Sequence, residues 1–523
     1  YNYKIGDGFR ENSDYISNNF YIHLGYNISK KTKLTGEISY LKYLAHQAGG
    51  LSDRMFNLNP LQSNRSRNWF GLDWFLFNMK IKHKFNDKSN LSLSFFGLDA
   101  ERNSIGFRTN RVDQIDPFTE RDLIKGNFNN HGIEIKFLNN YRVLNKKNVF
   151  VVGGKYYRSK STSQQGPGSE KEDADFNFYL DKFPNYTNQS DYVYPNKNFA
   201  FFGENIIYLS EKLSFTPGFR YENILTKSRG SFKQINLDGA GNVIYNNTSY
   251  ERKDSKRSFF LLGLGLSLKT LNSLEIYSNI SQNYRSVTFA DISIVNPAFA
   301  INPDISDERG LTLDLGLRGD IKDLVSLDFT FFNLLYRDRI GFSQKEFKDG
   351  SVKSERGNIG DAIIYGLESN IDFDVNNLLI KNDNMSLNYF INTALIDSEY
   401  TRSDENGVIG KKVEFVPNIN LKTGIKYGFE NFIFNVQYSY ISNQYTDSSN
   451  AKEGNLSGII GEIPAYSLFD FSFSYLYKNL RLETGINNLT NTFYFTRRAT
   501  GYPGPGIIPS PPRNTYLTLQ IKI

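Results

Sequence analysis

Apolar and polar residues alternate with a period of two along most of this chain, most plainly between residues 273 and 336. Leu274, Ile276 and Ile280 share one face of a stretch whose other face carries Glu275, Tyr277, Asn279 and Ser281. After a polar segment, Leu311, Leu313, Leu315 and Leu317 alternate with Thr312, Asp314, Gly316 and Arg318. A tight turn near 320–323 leads into a third strand, where Val325, Leu327, Phe329 and Phe331 oppose Ser326, Asp328 and Thr330. Such alternation predicts strands buried on one face. The charges keep to the polar face, which suits either a soluble sandwich or a barrel in a membrane.

The rest of the chain decides between the two. Residues 1–14 read as the polar end of a loop, and strands are expected at 18–28, 33–44, 69–85 and 90–102. Short turns, as near 145–147, 210–212 and 270–272, alternate with long connections at 103–125, 159–195, 229–252, 288–307, 343–360, 401–412, 446–463 and 500–513. About nineteen strands result, and this alternation predicts a transmembrane antiparallel β-barrel with turns at one rim and loops at the other. A β-propeller, with short strands repeating about every 40–45 residues, does not fit these longer strands. The first and last strands run toward the same rim, and an even count is needed for closure. An expected barrel of about 22 strands, the size of plugged transporters, then implies three further strands ahead of residue 1. The whole of 1–523 is expected to be one barrel domain.

Composition agrees. Of 523 residues only 39% are hydrophobic, yet 34 Tyr and 43 Phe are present, the excess expected of aromatic girdles at two interfaces. No apolar run approaches the roughly 18 residues of a membrane helix. Cysteine is absent, which removes disulfides, thiolate metal sites and a cysteine nucleophile. The net charge of +6 is spread along the chain and favours anionic ligands or lipopolysaccharide over nucleic acid.

Several segments resemble TonB-dependent outer-membrane receptors, in particular the ferric-dicitrate receptor branch of Bacteroidetes-type bacteria. They are Gly8-Phe-Arg-Glu-Asn-Ser-Asp14, Ala45-His-Gln-Ala-Gly-Gly-Leu51 and Asn64-Arg-Ser-Arg-Asn-Trp-Phe70. Further matches are Asn283-Tyr-Arg-Ser-Val-Thr-Phe-Ala-Asp291 with Asn296-Pro297, and Asp307-Glu-Arg-Gly310. Near the end come Asn487-Asn-Leu-Thr-Asn491, Tyr494 and Arg497-Arg-Ala-Thr-Gly-Tyr-Pro-Gly-Pro-Gly506. The family's N-terminal plug and first strands have no counterpart in these residues, and Ile523 stands where the family ends in an aromatic.

The resemblance implies an active importer in the bacterial outer membrane, with no enzymatic activity and no intrinsic cofactor. Its cargo would be an iron(III) chelate, ferric citrate or a carboxylate siderophore. The implied partners are the TonB–ExbB–ExbD energising complex acting through the plug, the surrounding lipid and lipopolysaccharide, and a surface lipoprotein or larger complex. A glycan or peptide importer with a lipoprotein lid, and a structural barrel subunit, are the competing readings. An anionic chelate calls for arginine forks supported by amides and phenols. The candidates are His46, Gln47, Arg65, Arg67, Arg102, Arg108, Arg111, Tyr284, Arg285 and Arg497, with Arg121 and Arg498 also in loops. The bland alternative is that most of these arginines brace the extracellular loops or pair with lipopolysaccharide phosphates. The four histidines, at 23, 46, 83 and 131, form no zinc motif. The acidic run Glu170, Glu172, Asp173 and Asp175 lacks the calcium-loop pattern and reads as a solvated loop.

Overall fold

The computed structural model describes residues 1–109, 111–143, 145–271, 273–288, 299–347, 352–501 and 504–522. Among the described residues, helical structure is confined to one turn and a half, α1 (Asp53–Leu58), and a π-helical turn at Asn376–Ile380. No helix of the described residues is long and apolar enough to cross a membrane. The chain divides into two compact units: 1–49, 61–208 and 216–262 form one, and 50–60, 209–215 and 263–523 the other.

In the first unit lie β1 (Asn2–Gly6), β2 (Tyr15–Ser29), β3 (Thr32–His46), β4 (Trp69–Lys84) and β5 (Ser89–Gly106). They are followed by β6 (Asp122–Val143), β7 (Lys146–Pro167), β8 (Gln189–Tyr208) and most of β9 (Leu213–Leu237) and β10 (Val243–Leu271). Each strand from β1 to β7 pairs antiparallel with its successor. The second unit holds β11 (Leu274–Arg285), β12 (Phe299–Ile301), β13 (Glu308–Ile321), β14 (Val325–Glu346), β15 (Val352–Asp374) and β16 (Met385–Arg402). It continues with β17 (Ile419–Phe429), β18 (Phe432–Ile441), β19 (Gln444–Tyr445), β20 (Glu462–Ile463), β21 (Tyr466–Tyr477) and β22 (Leu480–Asn487). It ends with β23 (Phe495–Ala499), β24 (Gly506–Pro509) and β25 (Asn514–Ile521). Its long strands again run antiparallel in sequence order, from β11–β13 to β22–β25.

Period-two alternation located the ladders well. The nineteen expected strands are β2–β11, β13–β18, β21, β22 and β25. The turn between β13 and β14 is set by Lys322 and Asp323, both in the left-handed region at φ 52° and 56°, the twist a tight hairpin requires. Lipid explains why the large apolar side chains stay exposed. Phe95, Ile133, Ile135, Tyr156, Phe199 and Phe201 in the first unit, and Leu313, Leu315, Phe331 and Val436 in the second, all project from the ladder faces. The opposite faces are polar. There Lys136 pairs with Glu134 at 2.6 Å, and Arg318 with Glu275 at 3.1 Å.

Several of the expected boundaries need correction. Residues 1–14 are not wholly loop, because β1 pairs residue for residue with Tyr15–Asn19. The connection expected at 159–195 shrinks to 168–188 and that at 229–252 to 238–242, while 343–346 and 352–360 of the one expected at 343–360 are strand. The cause is length. A membrane strand needs only about 9–11 residues, whereas β9 has 25 and β10 has 29. Beyond the lipid both faces meet water, so alternation lapses while the hydrogen-bonded ladder continues. Within 500–513, β24 returns to pair with β23. The short β12, β19, β20, β23 and β24 carry too few residues for periodicity to show. The motif residues Phe289–Asp291, Asn296, Pro297, Tyr502 and Pro503, and the terminal Ile523, lie outside the described residues.

Candidate functional site

The loop end of the first unit gathers where β3, β5 and β7 finish and β4, β6 and β8 begin. Gly106, the last residue of β5, lets the chain at 61–68 approach closely: a Cβ there would sit 2.3 Å from the Asn68 side chain. The Asn68 amide oxygen instead accepts the Phe107 N–H at 2.8 Å. This fastens the start of the 107–121 loop beside Arg65 and Arg67.

Both arginines are inside the loop cluster. Arg65 donates to the carbonyls of Asn64 and Gln114, each at 2.9 Å, and of Val112 at 3.3 Å, and its guanidinium lies over Phe107. Burial lowers it to about 10, still charged at neutral pH. Arg67, 1% exposed, makes a two-pronged pair with Asp116 at 2.9 and 2.5 Å and donates to the carbonyls of Thr119 and Glu170. Arg121 is fully buried. It donates to Ser169 O at 2.9 Å, Ser169 Oγ at 2.6 Å and Arg67 O at 2.9 Å. Its nearest carboxylate, the exposed Asp173, is 3.8 Å away. Burial, then the charge of Arg67, lowers Arg121 to about 10. Arg10, from the first resemblance motif, completes the set by donating to Gly49 O at 2.9 Å and Gln62 O at 2.7 Å.

A second knot sits beside the first. The buried Asp122 carboxylate accepts both Gln165 amide bonds at 2.9 Å and the Tyr186 hydroxyl at 3.0 Å, with Arg108 at 3.5 Å. Burial and the adjacent Asp122 raise the Tyr186 hydroxyl far above the ordinary phenol range, so it stays a donor. His46 meets Asp14 through Nδ1 at 2.5 Å, with its ring 3.3 Å from the Trp69 ring. Gln47 donates its backbone N–H to Asn68 O at 2.8 Å. Arg102 and Arg111 are the exposed arginines of the expected set here; Arg102 lies over Phe128, and Arg111 pairs with the exposed Asp113 at 3.1 Å.

The second unit holds the remaining expected residues. The Tyr284 hydroxyl donates to Asp307, and Arg285 faces Glu308 at 3.6 Å. Arg497 is exposed on β23 and makes no hydrogen bond or ion pair with the described residues. Its neighbour Arg498 turns inward and is 3% exposed. Arg498 grips Asp53 at 2.9 and 2.6 Å and donates to Glu462 O and Gly458 O. Around it, Leu51, Ile463, Phe495 and Ile507 form a buried apolar cluster. Arg339 on β14 reaches Glu414 at 2.9 Å, and the Tyr400 hydroxyl donates to the same carboxylate at 2.8 Å.

The ten expected residues therefore divide between the units, and five of the arginines fall into two conditions. Arg65 and Arg67 are committed to loop backbone, whereas Arg102, Arg111 and Arg497 present their side chains to solvent. Asp116, Asp122, Asp53 and Glu414 were not foreseen. Asp116, Glu414 and Asp53 meet their arginines from 49, 75 and 445 residues away, and Asp122 meets Arg108 across 14, so no local pattern nominates them.

Long antiparallel strands in sequence order, an exposed apolar row and arginine-braced loops define a membrane-spanning β-barrel of the transporter class. The chain belongs to the family described as TonB dependent receptor-like, beta-barrel, whose model matches residues 9–489. Members are outer-membrane transporters that work with the TonB system, not enzymes. Among solved structures, the unliganded ferric citrate transporter FecA is 17% identical, with a TM-score of 0.77 over 98% of this chain and 71% of its own. The siderophore receptor PiuA from Acinetobacter baumannii is 14% identical, with a TM-score of 0.73 over 98% of this chain and 75% of its own. The ferric yersiniabactin uptake receptor FyuA from Yersinia pestis is 13% identical, with a TM-score of 0.71 over 99% and 73%.

Proposed function

We propose that the chain forms the barrel of an outer-membrane importer of an iron(III) chelate, ferric citrate or a carboxylate-type siderophore, energised through the TonB system. What supports the reading is the division of labour among its loop arginines. Arg65, Arg67 and Arg121 are locked into the loops, so their cost of ordering falls on folding rather than on binding. Arg102, Arg111 and Arg497 present guanidiniums to solvent, and planar forks suit the paired oxygens of carboxylates. Within the first unit Arg108, His46 and Gln47 would support Arg102 and Arg111, and within the second Arg285 and Tyr284 would support Arg497. The fold shared with a ferric citrate transporter agrees with this reading.

Binding of ferric citrate to the purified protein, followed by calorimetry, tests it. Replacing Arg102, Arg111 and Arg497 with alanine together should weaken binding by at least about a hundredfold, because each hydrogen bond to a charged group contributes about 1.5–3 kcal/mol. Unchanged affinity in that folded triple variant would refute the arginine assignment.

A further inference from the structure

In the first unit the register of β6, β7 and β8 sets Ile133, Tyr156 and Phe199 side by side on one face. All three are exposed, as members of the apolar row should be. One step nearer the loops, the next rung on that face is His131, Arg158 and Lys197, and the one after is Asn129, Lys160 and Pro195. Arg158 and Lys197 are thus directly opposed across an antiparallel pair, where Cβ atoms stand about 4.5–5.5 Å apart and like charges destabilise the ladder. Lys160 follows on the same face roughly 6.6 Å along β7. All three cations are exposed.

The protein itself does not neutralise them. None forms a hydrogen bond or ion pair with the described residues. The acids of that face are placed elsewhere. Asp99 and Glu101 sit on β5, opposite Asn129 and Asn127 and separated by β6 from β7. Glu101 also holds Lys125 at 3.6 Å, and Asp191 holds Gln164 at 3.4 Å. An uncompensated basic rung beginning where the apolar row ends lies at the depth of lipid head groups. An anion between Arg158 and Lys197 would turn their repulsion into charge-assisted hydrogen bonds, and basic residues at a membrane surface attract anionic lipid.

We propose that Arg158, Lys160 and Lys197 seat the phosphate of an outer-leaflet phosphoglycolipid, whose acyl chains lie along Tyr156, Phe199 and Ile133. The fork of Arg158 takes two phosphate oxygens, and the lysines add point charges on either side.

Native mass spectrometry of the full chain in detergent, titrated with diphosphoryl lipid A, tests the seat. The neutral variant R158Q/K160Q/K197Q, whose folding is checked by heat-modifiable gel migration, should bind roughly a hundredfold more weakly, from the worth of three surface cations. The charge-keeping variant R158K/K197R should stay within a few-fold of wild type. Dephosphorylated lipid A should bind weakly and equally to all three proteins. Wild-type affinity in the neutral variant would overturn the proposal, as would equal loss in the charge-keeping one. Competition by inorganic phosphate at the same concentration as lipid A would make this a free-anion site and also overturn it.

Discussion

The two units brace their loops with buried arginine in different ways. In the first, Arg10, Arg65, Arg67 and Arg121 are all buried, and only Arg67 has a buried carboxylate of its own, Asp116. The others give their N–H groups to backbone carbonyls and to Ser169. In the second, the buried Arg498 has Asp53 as well as the carbonyls of Glu462 and Gly458, and the half-buried Arg339 has the buried Glu414. Carbonyl bracing specifies the path of a loop backbone, because the fork fits only one arrangement of peptide oxygens. Carboxylate bracing specifies a pair of side chains and leaves more freedom in the backbone between them.

The comparison breaks most severely at Asp116. In D116A the buried Arg67 keeps its charge beside Arg121 with no carboxylate, and stranding one member of a buried pair costs about 3–5 kcal/mol. Hydrogen exchange in detergent should show the 107–121 loop losing that much protection while the ladders keep theirs. A backbone perturbation in the second unit comes next. Gly458 sits at φ +67°, where an added Cβ would lie 2.4 Å from Leu51 O. G458A should cost about 3 kcal/mol, read as exchange around Leu51 and Ile507, through overpacking and the left-handed backbone.

Loss of Asp53 should be milder than loss of Asp116. Its side chain is 39% exposed, so water can reach the vacated position, and Arg498 keeps its carbonyls. D53A should cost about 1–2 kcal/mol on the same assay. If D53A equals D116A in effect, the contrast between the units fails.

The smallest effect concerns pH. Burial raises the Glu414 carboxyl, against the pull of Arg339. A carboxyl raised in the folded state contributes stability that is complete below its unfolded value and is lost as pH rises through the folded one. Exchange protection of the 403–418 loop, corrected for intrinsic rates, should therefore decline as pH rises from the acid side. E414Q should flatten that profile. An upward slope in the wild-type protein would show that Arg339, and not burial, controls the carboxyl.

Much of the wall was legible beforehand. Leu311 to Leu317 and Phe329 to Phe331 announce their strands because lipid rewards every second residue, a local and repetitive demand. The strand extensions around Arg229 and Ser343 look like loops in the sequence because beyond the lipid that demand stops, although pairing persists. The loop arginines were recognised as a class, since residue type alone suggests anion recognition or bracing. Which of the two each one performs was invisible.

The sequence by itself therefore determined the β-architecture, the alternation of turns and loops and the absence of cysteine chemistry, all properties of composition or of neighbours along the chain. Only the tertiary structure decided that Arg67 meets Asp116, that Arg498 meets Asp53, and that Arg158 faces Lys197 across a ladder. Those meetings depend on strand register and on loops returning from tens or hundreds of residues away. Burial and opposition of charge arise only when such distant segments share one place.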